Sequence, residues 1–130
     1  MKVSELQGAE LDYWVAMAEG KDAEIRPTWS IRGQPTCIIF KGKREGDGHY
    51  PFFPSTDWSQ GGPIIEKWGI QIAPSRLGNG WEILSWAASF RNRGALAHNR
   101  EGPTPLIAAM RAFVASKYGD EVGDWRRSNG

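Results

Sequence analysis

Thr104-Pro-Leu-Ile-Ala-Ala-Met-Arg-Ala-Phe-Val-Ala-Ser-Lys117 is the stretch on which the fold turns. Thr104 supplies a capping hydroxyl, and Pro105 fits the first helical position, where its missing N–H leaves nothing unpaired. Leu106, Ile107, Met110, Phe113, Val114 and Lys117 then follow at the 3.6-residue spacing of an amphipathic helix, and Gly119 is placed to end it. Upstream, Trp81 to Phe90 alternates as a long strand. Trp81, Ile83, Ser85, Ala87 and Ser89 share one face, while Glu82, Leu84, Trp86, Ala88 and Phe90 share the other, which is the face expected to be buried.

Nearer the N-terminus, Ile70-Gln71-Ile72 alternates as a strand, divided from the longer one by a turn holding Gly78-Asn79-Gly80. Ile64 to Gly69 reads as a short helix with Pro63 at its first position and Gly69 at its end. Lys41 to His49 has three glycines and mixed charge, the pattern of an exposed loop, and Pro51 and Pro54 keep the chain irregular through Phe53. Before that loop, Ile25, Trp29 and Ile31 lie in one strand-like segment, Gly33-Gln34-Pro35 turns, and Cys37 to Phe40 forms a short apolar strand. Leu11, Trp14, Val15 and Ala18 make the apolar stripe of a first helix that begins near residue 5 or 9, with Ser4 as a cap, and stops at Gly20. Arg91-Asn-Arg-Gly94 makes a basic turn ahead of a further strand at Ala95 to His98. The expected fold class is α+β: an antiparallel sheet of about four to six strands with an N-terminal and a C-terminal amphipathic helix packed on one face. Residues 1–119 are expected to form one domain, and 120–130, which have little periodicity, a loose C-terminal tail.

With 130 residues, 40% of them hydrophobic, the chain can close one core without disulfides or structural metal. Sixteen basic against fifteen acidic side chains leave a net charge of +1, which removes the electrostatic argument for a nucleic-acid coat protein or a polybasic membrane binder. The single cysteine, Cys37, permits no internal disulfide and fits a reducing compartment. No apolar run approaches the ~20 residues of a membrane helix, and the first residues turn acidic where a signal peptide would be apolar. Neither a membrane nor nucleic acid is therefore an expected partner.

Chemistry concentrates around Asp57 to Pro63. Read as a turn before a helix, Gly61-Gly62-Pro63 would present unhindered N–H groups to a phosphate or carboxylate; the alternative is a turn that only needs glycine dihedrals. Trp58 offers a stacking face, and Asp57 and Gln60 offer an acceptor and an amide for base or ribose edges, unless Asp57 merely caps the Trp58-Ser59 turn. Arg91 and Arg93 gather with Arg100 around one hairpin, and Lys41, Lys43 and Arg44 form a second cationic cluster; solvated turn residues are the plainer account of both. Of seven tryptophans, Trp14 and Trp86 belong to the core, which leaves Trp29, Trp58, Trp68 and Trp81 for a pocket. His49 and His98 stand in no metal-ligand spacing and no Gly-x-Ser-x-Gly elbow occurs, so no catalytic residue, metal or cofactor is assigned. A nucleotide hydrolase using His98 with Asp57 is a minor alternative. The order helix, three strands, helix is also that of a double-stranded RNA-binding domain. The lysine cluster such a domain carries at the start of its last helix is here the apolar Thr104-Pro-Leu-Ile-Ala-Ala109.

Three stretches together, Met1 to Val15, Ser55-Thr-Asp-Trp-Ser-Gln-Gly-Gly-Pro-Ile-Ile-Glu66 and Gly102 to Lys117, resemble the NinX-type family of small phage and prophage proteins. The resemblance implies a phage-encoded accessory protein acting in the host cytoplasm, and it names no reaction. By analogy with small phage proteins that counter host defence, the leading expectation is capture of a nucleotide-type immune signal. Its ligand-binding residues would be Asp57, Trp58, Gln60, Gly61, Gly62, Arg91 and Arg93. The alternative is a protein-protein interaction module that occludes a host enzyme or nucleic-acid-processing complex through an aromatic patch. Small size and the aromatic excess make a homo-oligomer an expected arrangement.

Overall fold

A computed structural model describes residues 1–27, 34–76, 80, 82–90 and 100–125. Thr104 Oγ1 accepts the Ile107 N–H at 3.1 Å, and Pro105 opens helix α3 (Pro105–Tyr118), which Gly119 closes as the sequence predicts. Every residue from Leu106 to Ala115 is buried, so the helix is enclosed around its whole circumference and presents no polar face along that run. Helix α1 (Gly8–Ala18) is likewise buried from Leu11 to Ala16. The residues before it form a separate 3₁₀ turn, Val3–Glu5, so the expected Ser4 cap is not used. Its end is a Schellman motif: Gly20 at φ 75° donates to Met17 O, and Lys21 N–H to Ala16 O, each at 3.0 Å.

The strands form two antiparallel meanders. β1 (Ala23–Arg26), β2 (Thr36–Phe40) and β3 (His49–Pro51) pair in that order, with Ala23 opposite Ile39 and Ile39 opposite Tyr50. β4 (Gln71–Arg76), β5 (Ile83–Ser89) and β6 (Arg100–Gly102) make the second sheet, with Ala73 opposite Ala87 and Ala87 opposite Glu101. The expectation of one sheet gives way to two because β3 stops at Pro51. That proline and Pro54 take the chain out of the ladder, and helix α2 (Trp58–Trp68) intervenes before β4.

β1 and β2 pack on α1, β4 to β6 pack on α3, and the two helices pack on each other. The helices are therefore the shared core of two sheets, where the sequence suggested two helices lying on one face of a single sheet. Tyr13, Leu11, Met110 and Phe113 are fully buried at that junction. Far along β5, Ala88 is 1% and neighbouring Phe90 3% exposed, but Leu84 on the same face is 63% exposed. The face expected to be buried is thus covered only toward its C-terminal end.

Among the described residues, one acidic and one basic side chain, Asp12 and Arg111, lie inside. Arg111 donates from Nε to Leu6 O and from Nη1 to Glu101 O, both at 2.9 Å, tying α3 to the N-terminal segment and to β6. Asp12 is described with the site below. Residues 120–122 are tied down as well: the Lys2 and Glu121 backbones pair in an isolated antiparallel β-bridge, Val122 N–H donates to Met1 O at 2.9 Å, and the Val122 side chain is buried. Trp125 packs against Tyr13, so through Trp125 the expected loose tail is instead a clasp over the N-terminus. Among the described residues no helix is long and apolar enough to cross a membrane. The expected strand residues Trp29 and Ile31, Trp81, the Arg91–Gly94 turn and the Ala95–His98 strand lie outside the described residues.

Candidate functional site

The Asp57 to Pro63 segment is a helix, and this changes what its residues offer. Asp57 Oδ1 accepts the Ser59 N–H at 3.0 Å, and the Ser59 hydroxyl returns to the same carboxylate at 2.8 Å. That cap starts α2 at Trp58, five residues before the expected first position, Pro63. Pro63 consequently sits inside the helix. Its ring would crowd a Cβ on the preceding residue, and Gly62 has none, so the helix can run through at the loss of the N–H that would serve Ser59 O.

Gly61 and Gly62 therefore do not form an N–H cradle. Gly61 N–H donates to Asp57 O at 2.8 Å as the first step of the helical ladder. A Cβ on Gly61 would overlap Pro54 O and the Leu106 side chain, so the residue is glycine because α2 crosses very close to the loop before it and to α3. Apart from the neighbouring Pro63, a Cβ on Gly62 would meet nothing. Gln60 is also committed: its Oε1 accepts the Phe53 N–H at 2.6 Å and its Nε2 donates to Pro51 O at 3.0 Å, pinning the segment that leaves β3.

Trp58 stands apart from these. At about 100° per residue, Gln60 is roughly 200° around the helix from Trp58, while Gly62 and Ile65 lie on the Trp58 side. The indole is 56% exposed. Asp57, Trp58 and Gln60, expected to converge on one ligand, thus serve as a cap, a surface aromatic and an internal tie. Arg91, Arg93 and His98 lie outside the described residues. Arg100 is ion-paired with Asp120, and Lys41, Lys43 and Arg44 sit at the β2–β3 turn, where Arg44 N–H donates to Asp47 Oδ2 at 2.9 Å. Trp68 packs against Phe90 and Phe113, with ring centroids 6.2 and 5.6 Å away, and so joins the core.

Two features escaped sequence reasoning. On the side of α2 away from Trp58, Ser59, Pro63, Ile64 and Lys67 face Lys21 and Phe52 across a cleft of ≈ 230 Å³. The signal for it was the Asp57-x-Ser59 cap: once the helix starts at Trp58, residues 60, 63, 64 and 67 fall on one side. The second feature is Asp12. Its Oδ1 accepts the Ser55 N–H at 2.9 Å, and burial pushes its carboxyl up from 3.8 to about 7, with the Ser55 hydrogen bonding opposing the rise. Burial, with the nearby Asp12 charge adding to it, also pushes the Cys37 thiol far up, so Cys37 is an inert core residue.

A family model described as Bacteriophage P22, NinX matches residues 2–117. No curated protein matches the chain.

Proposed function

The chain belongs to the bacteriophage P22 NinX family, and from that premise we propose that it is a phage accessory protein that docks on a host protein through the Trp58 face of α2. One observation carries this reading: an indole 56% exposed, in a chain whose other described tryptophans are at least half-buried. Gly62, one helical turn on, leaves room beside it for a partner's side chain. Aromatic side chains that close in a well-packed contact dominate interface energetics. The proposed place of action is the host cytoplasm.

The other expectation, sequestration of a nucleotide-type signal, assigned polar recognition to Asp57, Gln60 and the Gly61 N–H. All three have internal partners. Docking needs only the indole and the surface around it, and for that reason it is the reading we adopt.

The test uses the purified chain as bait in host lysate that has been nuclease-treated and dialysed. A host protein retained in stoichiometric amount by the wild type, and bound at least about thirtyfold more weakly by Trp58→Ala of unchanged Tm, is the expected result, since a hot-spot truncation costs about 2 kcal/mol or more. Equal retention by the two proteins would overturn the reading. Light scattering of the bait alone separates a host partner from self-association, the remaining proposal from the aromatic excess.

A further inference from the structure

The far side of α2 carries a different kind of surface. The floor of the cleft is apolar, made by Phe52 and Ile64, each 4% exposed. Its rim is cationic. The Schellman end of α1 delivers Lys21, whose ammonium lies 5.5 Å from the centre of the Phe52 ring. The last turn of α2 delivers Lys67, held 5.3 Å from the Trp68 ring; outside the cleft lining, Lys117 from α3 places its ammonium 4.6 Å from the same indole. Glu19, also on the rim, stands 3.8 Å from Lys21 and tempers that charge. Among the described residues neither Lys67 nor Lys117 has a carboxylate within ion-pair reach. Ser59 adds a polar wall: its carbonyl receives no N–H from Pro63, four residues later.

From this arrangement we infer that the cleft binds a small organic phosphate, its phosphate group held between Lys21 and Lys67 and its uncharged part seated on the Phe52–Ile64 floor. With Glu19 set against two ammonium groups the rim keeps one positive charge, and the two ammonium groups can donate to separate oxygens of one phosphate. A volume of ≈ 230 Å³ over an apolar floor favours an organic body over a bare ion, which would leave that floor wet. The inference is independent of docking through Trp58, because the two surfaces lie on opposite sides of α2.

Titration of the full chain with phenyl phosphate, followed by amide chemical shifts, tests it, with inorganic phosphate and phenol as controls. Saturable shifts centred on Lys21, Phe52, Ser59 and Lys67 are expected, at an affinity at least tenfold above either control. The pair of substitutions Lys21→Met and Lys67→Met keeps both alkyl stems and should weaken binding at least tenfold, with the rest of the spectrum unmoved. Trp58→Ala should bind as the wild type does. No saturable shift at millimolar phenyl phosphate, or equal binding by the double variant, overturns the inference. Both exposed lysines can also be replaced singly, so a fold defect in the double variant does not shelter it.

Discussion

Gly61 and Gly62 are neighbours with opposite roles. A methyl group at 61 meets Pro54 O and Leu106, whereas at 62 it meets no residue but its chain neighbour Pro63. Gly61→Ala should therefore lower stability by roughly 1–3 kcal/mol in urea unfolding, the usual cost of overpacking. Gly62→Ala should change it by less than about 1 kcal/mol, because gained helix propensity opposes the crowding of Pro63. Equal losses would mean that the Pro54–Leu106 contact is not what demands glycine. Asp12 poses a different residue-scale question. Its folded-state value near 7 exceeds the unfolded 3.8, so between those pH values the folded chain holds a proton that the unfolded chain has released. Stability contributed at Asp12 is thus full below about pH 4 and is lost as pH rises through 7. Asp12→Asn keeps an acceptor for the Ser55 N–H and cannot ionise. Its stability relative to wild type should rise by several kcal/mol between pH 4 and pH 8, at about 1.4 kcal/mol per pKa unit. A difference independent of pH would show that the Asp12 carboxyl titrates no higher in the folded chain than in the unfolded one.

At the scale of the element, α2 is held at its start by two side chains that sequence reasoning had given to a ligand. Asp57→Ala removes the cap and should cost about 1 kcal/mol. Gln60→Leu leaves the buried-side Phe53 N–H without its acceptor and should cost roughly 1–3 kcal/mol. Hydrogen exchange offers the sharper reading, since both changes should accelerate exchange at Ser59 to Ile64 more than in α3. Uniform acceleration would mean that α2 opens only with the whole fold. The helix was half legible: Ile64 to Gly69 and the Gly69 stop were readable, but Gly-Gly-Pro reads locally as a break. What overrides that signal is packing, because α2 can approach Pro54 and Leu106 only through a residue without a side chain.

For the whole molecule, residues 1–3 and 120–122 are one structural unit. Val3 N–H donates to Asp120 O at 2.8 Å and the Met1 amino group to Val122 O at 2.8 Å, while Val122 is buried against the core. Ending the chain after Gly119 removes these contacts and should lower stability by about 2 kcal/mol or more, the value of burying one such side chain. An unchanged urea midpoint would return 120–125 to the status of a tail. The clasp was not legible because Val122 is isolated among charged and glycine residues, and its partner is at the opposite end of the sequence.

Local signals were enough for the class of the protein and for much of its secondary structure. The Thr104–Pro105 start and Gly119 stop of α3, the Gly20 end of α1, the short apolar run of β2 and the alternation through β5 all depend on residues within a turn or two of one another, and each of the three stretches that carry the family resemblance is itself continuous in sequence. Only tertiary structure decided how those pieces divide the space. It split the strands into two sheets, enclosed α1 and α3, set Gly61 against Pro54 and Leu106, and placed Trp58 and the lysine-rimmed cleft on opposite sides of α2. The physical reason is that capping and periodicity are short-range, whereas which elements share a core, and which face of α2 is left to solvent, depends on packing between segments far apart in the sequence, as of Gly61 against Leu106.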